Sequence, residues 1–430
     1  MTTFDQILPK VADVLRKHVG DLSRIGPIYV NRDLNGKVRL VVGRAAHSHE
    51  DILRSIAEDL AERLGSHAFP AESAILYEDD PDVICSGAAN FPLEGFENVR
   101  MVDRLAMEGN WASMEPVSPG APRIVFFSIK GGVGRSTALA ACAWSLAQAG
   151  KRVLVLDIDL ESPGLSSALL PKDRRPAYGI ADWLVEDLVD NGDDLLADMF
   201  AISDISHDGE IRVVPAYGRE PGEYLSKLGR VWMPKVDNEG GHKPWSKRLS
   251  DLVERLEARL LPDVILIDSR AGIDEVASSC VTGLGATLVL LFAIDGEQTW
   301  AGYRILFQHW LRSGVAQTIR ERLQLVGAMI PELGAAEYFE GLRERGYELF
   351  ADNLYEEIPA DAVGGEWSFE ETDEGAPHFP WGVRWHRGFA ALRSIHARLE
   401  AVDPEEVRAV FGPLVDGIGN VVLLGRESHE

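Results

Sequence analysis

The densest chemistry in this sequence lies in Ile129-Lys130-Gly131-Gly132-Val133-Gly134-Arg135-Ser136-Thr137. Gly131, Gly132 and Gly134 let backbone N–H groups turn inward, and a concave row of such donors holds an anion. The apolar run Ile124-Val125-Phe126-Phe127 precedes the loop, and the Ala-rich stretch 136–149, which reads as a helix, follows it. A buried strand, a glycine-rich turn and a helix N-terminus in that order make a phosphate site, because the helix adds its dipole and its free N–H groups. Ser136 opens the helix, where its hydroxyl is placed to ligate Mg²⁺. The segment departs from G-x-x-x-x-G-K-[ST] twice: Ile129 stands in place of the first glycine and Arg135 in place of the lysine.

Such a loop needs a scaffold. Arg123 to Ser128, Arg152 to Asp157, Asp263 to Asp268, Ala286 to Ala293 and Gln324 to Met329 are short apolar runs separated by helical stretches. Strands alternating with helices predict an α/β fold, a mostly parallel, doubly wound sheet. Residues 1–118 form a separate α+β domain ahead of it. A helix fits Phe4 to His18, with Ile7, Leu8, Val11, Val14 and Leu15 on one face; a second fits His49 to Leu64. Between them Asn35-Gly36 marks a hairpin joining strands at Ile28–Asn31 and Val38–Val42. The Pro-, Ser- and Gly-bearing stretch 115–122 is a linker. The nucleotide-binding domain is expected over 119–360, with a C-terminal extension, 361–430, packed on it. Residues 220–244 read as a surface excursion, 360–388 as irregular, and 388–399 as helical.

With the extra lysine at its start, the loop follows K-G-G-x-G-K-[ST]-[ST] except for Arg135. In this it resembles the deviant Walker A motif of the ParA/MinD group of P-loop ATPases. Two further segments fall where that group needs them: Val153-Leu154-Val155-Leu156-Asp157-Ile158-Asp159 and Val264-Ile265-Leu266-Ile267-Asp268-Ser269-Arg270-Ala271-Gly272-Ile273. The resemblance covers about residues 123–360. It implies an ATP-binding enzyme and slow ATPase that uses Mg²⁺ and acts as a nucleotide-driven dimerisation switch toward a protein partner.

Residue by residue, the resemblance gives Lys130 the role of reaching a partner subunit's nucleotide. It wraps the phosphates with Gly131, Gly132, Val133, Gly134, Arg135, Ser136 and Thr137. It assigns Mg²⁺ to Ser136, Asp157 and Asp268, and positioning of the attacking water to Asp159. Arg135 keeps the charge of the usual lysine, but a planar fork is not a compact ammonium, so turnover is the property in question. A non-hydrolysing, nucleotide-bound interaction module in a partition, positioning or defence system is the alternative. Arg270 replaces a proline and is read either as a γ-phosphate contact or as a surface ion pair. Ile330-Pro331-Glu332 stands where relatives carry an adenine-reading asparagine, and Pro359 falls near a loop that flanks the base.

The balance of 68 acidic against 43 basic residues gives a net charge of −25. Such a surface repels nucleic acid and anionic membranes, so neither is an expected partner; a homodimer and a protein partner are. Lys172 to Arg175 and Lys243 to Arg248 are short basic groups expected in solvated loops. Cys85, Cys142 and Cys280 are too few and scattered for a disulfide framework, which fits a reducing, cytoplasmic setting. Uninterrupted apolar runs fall short of a membrane span, and neither a signal peptide nor a membrane anchor is expected. His47 and His49, and His378, His386 and His396, lack the partners of a metal site and are expected to pack or hydrogen-bond. The stretch Trp381 to Trp385 is read as either core or a partner surface.

Overall fold

The computed structural model describes residues 2–86, 88–105, 111–236, 241–356, 367–389 and 395–427. The chain divides into two units, residues 1–108 with 312–315, and 109–311 with 316–430.

The first unit is α+β. Strands β1 (Ile28–Arg32), β2 (Val38–Gly43), β3 (Ile75–Glu78), β4 (Ala89–Pro92) and β5 (Val99–Asp103) form a sheet in the order β3-β2-β1-β5-β4. Gly36, at φ +78°, makes the turn that folds β2 back antiparallel to β1. The helices Ile7–Lys17 and Glu50–Leu64 bury Val11, Leu15, Ile56 and Leu60 in one core with Val30, Leu40 and Met101 of the sheet.

The second unit is built on eight strands: β6 (Arg123–Ser128), β7 (Arg152–Asp157), β8 (Ala201–Ile202), β9 (Glu210–Val214), β12 (Val264–Ala271), β13 (Leu288–Ala293), β14 (Leu323–Ile330) and β15 (Trp381–Arg384). A two-strand hairpin, β10 (Lys235–Val236) and β11 (His242–Lys243), stands apart from them. The sheet order is β15-β14-β13-β6-β12-β7-β9-β8, and every pairing is parallel except β8 with β9. Ile124 to Phe127, Val264 to Ile267 and Val289 to Leu291 are wholly buried, as strands covered on both faces must be. β6 lies between β12 and β13, so the chain leaves the middle of the sheet straight into the glycine loop. Ligands of open α/β sheets bind at such a point, beyond the carboxyl ends of the strands.

The loop helix, Arg135–Gln148, buries Ala138, Ala140, Ala141, Ala143 and Ala147. These small side chains let a second layer pack closely. That layer is the C-terminal helix Pro404–Glu427, whose Val407, Val410, Phe411, Leu414, Ile418 and Val422 recur at helical spacing and join the same core. A Cβ placed on Gly417 would lie 2.5 Å from the Trp381 ring, so the glycine lets the helix lie against β15. Pro404–Leu424 is the one helix among the described residues long and apolar enough to cross a membrane. Part of that apolarity, the stripe from Val407 to Val422, turns into the core of this unit, while Leu423 and Leu424 are exposed.

Several expectations need correction. The excursion at 220–244 contains the helix Tyr224–Val231 and the β10–β11 hairpin. Lys243 to Arg248 is no solvated loop, because the helix Trp245–Leu260 starts within it and Arg248 is fully buried. The Arg248 guanidinium donates to Asp187 at 2.7 Å and to the Met233 carbonyl at 2.7 Å, which satisfies a charge that sequence reading places in water. The irregular stretch 360–388 contributes β15, a strand too short to announce itself by alternation. The helix expected in 388–399 is present as Ile395–Glu400; residues 390–394 lie outside the described residues.

Candidate nucleotide site

The loop between β6 and its helix is held open by conformation. Gly132 and Gly134 adopt φ +77° and +80°, a region that side chains with a Cβ enter at a cost. Ile129, where a first glycine is the usual residue, packs into the notch at Gly302; a Cβ there would lie 2.4 Å from Ile129 Cγ2. Lys130, Gly131 and Gly132 are exposed and Val133 is buried, so the loop presents its polar side outward and is anchored by its apolar residue.

The aspartates come together because their strands are in register. Asp157 of β7 pairs with Asp268 of β12, and Asp268 in turn pairs with Phe126 of β6. Ser136 donates its hydroxyl to Asp268 Oδ2 at 2.6 Å. Arg135 is buried, and its fork spans three groups: Nε donates to Asp268 Oδ1 at 2.8 Å, Nη1 to Ser128 Oγ at 3.0 Å, and Nη2 lies 3.6 Å from Asp159 Oδ2. No ammonium could make these contacts together.

Asp157 is completely buried; its Oδ2 accepts from the Ser166 N–H at 3.1 Å, and its Oδ1 has no hydrogen-bond partner. Burial, then repulsion from Asp268, pushes its carboxyl up to about 7. Asp159 is also raised, mainly by burial and against the pull of Arg135. An orphaned buried oxygen beside a second carboxylate and a serine hydroxyl is a hard-oxygen donor set that fits Mg²⁺. Among the described residues no group of three or more His, Cys, Asp or Glu could hold a metal.

The glycine loop, Arg135 and Ser136 border a cleft of about 520 Å³ that runs past Asp159 and Ala271 to Met329 and Trp385, while Asp157 and Asp268 stay buried. Arg270 forms ion pairs with Glu161 at 2.7 Å and Asp274 at 3.1 Å, which joins the loop after β7 to the loop after β12. Sequence reasoning missed the far wall: Arg384, His386, Phe389 and Phe411 come from the last fifth of the chain. The aromatic and basic run 381–389 was its only trace. Trp385, read as core or partner surface, stands half-exposed at the cleft, whereas Trp381 packs over Gly417. Met329 lines the cleft at φ +58°, a strained conformation for a side chain with a Cβ. Pro359 lies outside the described residues.

The histidines have ordinary partners. His378 is fully buried between the Tyr355 hydroxyl and the Glu371 carbonyl, His396 meets Asp204 at 2.6 Å, and His47 stacks on Tyr77.

A parallel sheet that delivers a glycine loop and a helix N-terminus to one cleft, with two registered aspartates buried beside the loop helix, defines a P-loop nucleotide-binding domain. Residues 124–287 match the CobQ/CobB/MinD/ParA nucleotide binding domain. No curated protein matches the chain in sequence. Among solved structures, it is similar to a ParA family ATPase from Chlorobium tepidum TLS, with 18% identity, TM-score 0.37, 53% of this chain and 81% of that one. It is similar to pNOB8 ParA bound to nonspecific DNA, with 16% identity, TM-score 0.43, and 72% and 100% covered. Apo McdA from Cyanthece is similar at 13% identity, TM-score 0.41, with 69% and 99% covered.

Proposed function

We propose that this protein is a Mg²⁺-dependent ATP-binding protein and slow ATPase whose nucleotide state drives dimerisation and signals to a protein partner. The observation that carries the reading is a cleft lined by the glycine loop, Ser136 and Asp159, with Ser136 donating to the buried Asp268, which pairs in register with Asp157. In this reading Gly131 to Thr137 hold the phosphates through N–H groups and the helix dipole. Ser136, with Asp157 and Asp268 directly or through water, holds Mg²⁺, which when bound supplies charge neutralisation at the phosphate oxygens. Asp159 orients water. Lys130, exposed at the start of the loop, is available to a second subunit's nucleotide.

The test is ATP binding, ATP turnover and dimer mass for the wild type and Lys130→Ala. The expected outcome is retained binding with loss of both turnover and nucleotide-dependent dimer. Binding with turnover and dimerisation both unchanged would remove the cross-subunit role.

A second reading, a nucleotide-bound module that does not hydrolyse, is favoured by one feature. The Arg135 guanidinium is committed to Asp268, Ser128 and Asp159. A side chain held this way answers a phosphate only by giving up buried partners. Turnover at the level of a blank, rescued by Arg135→Lys, would support this second reading.

A further inference from the structure

The large sheet ends at β15, and the outer side of that strand pairs with no other strand among the described residues. An unpaired edge offers N–H and C=O groups that another strand can take up. Beside this edge lies a cavity of about 750 Å³, larger than the nucleotide cleft.

The cavity is a groove between two helices on opposite faces of the sheet. Trp381 points to Gly417 of the C-terminal helix, and a Cβ on its neighbour Gly382 would point to Phe339 of the helix Ala335–Asn353. The edge strand is the floor; Ala336 and Phe339 line one wall, Arg408 and Ala409 the other. Ala336 and Ala409 are exposed and small, so a backbone can enter between the helices. Among the described residues the edge therefore lies open in the place where a further strand of the same sheet would run.

The charge of the groove is opposite to that of the chain. Arg384 is exposed at the end of β15 and makes no ion pair or side-chain hydrogen bond among the described residues. Among the described residues Arg408 pairs with Asp416, at 3.6 Å with both side chains largely exposed, and Glu374 is the one acidic residue on the lining. Arg384, without an ion pair among the described residues, is the group that selects an anion, and Arg engages carboxylates through its fork.

We infer that this groove binds an extended peptide bearing a carboxylate side chain, which adds to β15 as the next strand of the sheet. Its apolar side chains lie against Phe339 and Trp381, and its carboxylate meets Arg384. Because Arg384 also lines the nucleotide cleft, peptide and nucleotide influence each other's affinity, and the influence is reciprocal. Peptide binding by itself does not depend on the ATPase reading, so the first arm of the test omits nucleotide.

The full-length protein is panned against random linear octapeptides displayed on phage, and the selected peptides are synthesised and measured by fluorescence anisotropy. Selected sequences are expected to carry an acidic residue among alternating apolar positions. Their affinity is expected to fall at least about tenfold for Arg384→Glu and for the groove-filling Ala336→Trp. Bound peptide is expected to slow hydrogen exchange at residues 381–384. Both substitutions are at exposed positions, and circular dichroism checks that they leave the fold intact. Selection of no peptide, selection of basic peptides, or binding untouched by Ala336→Trp would overturn the inference. In a second arm, ATP affinity that is the same with and without saturating peptide would overturn the coupling through Arg384.

Discussion

Replacing Arg135 tests the centre of the site. Its guanidinium donates to Asp268 and to Ser128 and stands in ion-pair range of Asp159, and both Arg135 and Asp268 are buried. Removing one partner of a buried pair typically costs about 3–5 kcal/mol, because the remaining charge has no compensation. Arg135→Ala therefore belongs in that range in the nucleotide-free protein. Arg135→Lys keeps the charge but can serve at most part of the fork. Each lost hydrogen bond to a charged group is worth about 1.5–3 kcal/mol, so the lysine variant is expected to cost about 2–3 kcal/mol. The readout is hydrogen exchange of helix Arg135–Gln148, whose opening free energy should fall with the loss of its first residue's anchors. At about 1.4 kcal/mol per tenfold change, the lysine variant should raise the opening constant roughly 30- to 150-fold. Protection within about twofold of wild type in both variants would refute the argument, since the guanidinium would then not be seated on Asp268. Faster opening in Arg135→Ala alone would show that charge matters and the fork does not.

Three other expectations follow from single contacts. Tyr224 donates its hydroxyl to the Leu160 carbonyl at 2.6 Å; Tyr224→Phe should loosen the loop after β7 by about 1 kcal/mol, seen as roughly fivefold faster exchange over 158–164. Burial holds the His378 imidazole below its usual value, so the folded state keeps it neutral where the unfolded chain protonates it. Its contribution to stability is present above about pH 6.5 and is lost as pH falls from there toward the folded value. Urea unfolding at pH 7.5 and 5.5 should show a loss on acidification that His378→Asn reduces; an equal loss in both proteins would assign the effect elsewhere. Gly417→Ala brings a methyl into the Trp381 ring, and should cost about 1–3 kcal/mol with early loss of the C-terminal helix by circular dichroism.

Much of the P-loop half was readable because its signals are local. Strand β6, the glycine loop and the helix Arg135–Gln148 occupy consecutive residues, and Asp157 and Asp268 end apolar runs that must be buried strands. What sequence reading could not supply was the partner of each charge. Arg135 looked like a phosphate ligand by position, yet in the fold it bridges residues 7 and 133 positions away. Arg248 looked solvated because its neighbours are polar, and only the fold brings Asp187 and the Met233 carbonyl to it. The far wall of the cleft escaped for the same reason. β15 is four residues long and pairs with β14 from some fifty residues away, so neither periodicity nor spacing marks it.

The net charge of −25 takes on a different meaning beside this geometry. An acidic chain can bind a polyanion only where its own carboxylates are neutralised. Here Asp268 is met by Arg135 and by the Ser136 hydroxyl, and Asp157 is pushed toward its neutral form by burial. The site thus hides its negative groups behind the loop while turning N–H groups and Lys130 outward. The same logic separates the two cationic features of the P-loop unit. Arg135 is positive charge consumed inside the protein, whereas Arg384 is positive charge left without an ion-pair partner among the described residues at a sheet edge. Unlike Arg135, Arg384 is free to meet a partner, and a chain this acidic would otherwise repel a peptide carrying a carboxylate. The place where such a peptide is drawn in is therefore specified by a residue that also borders the nucleotide cleft.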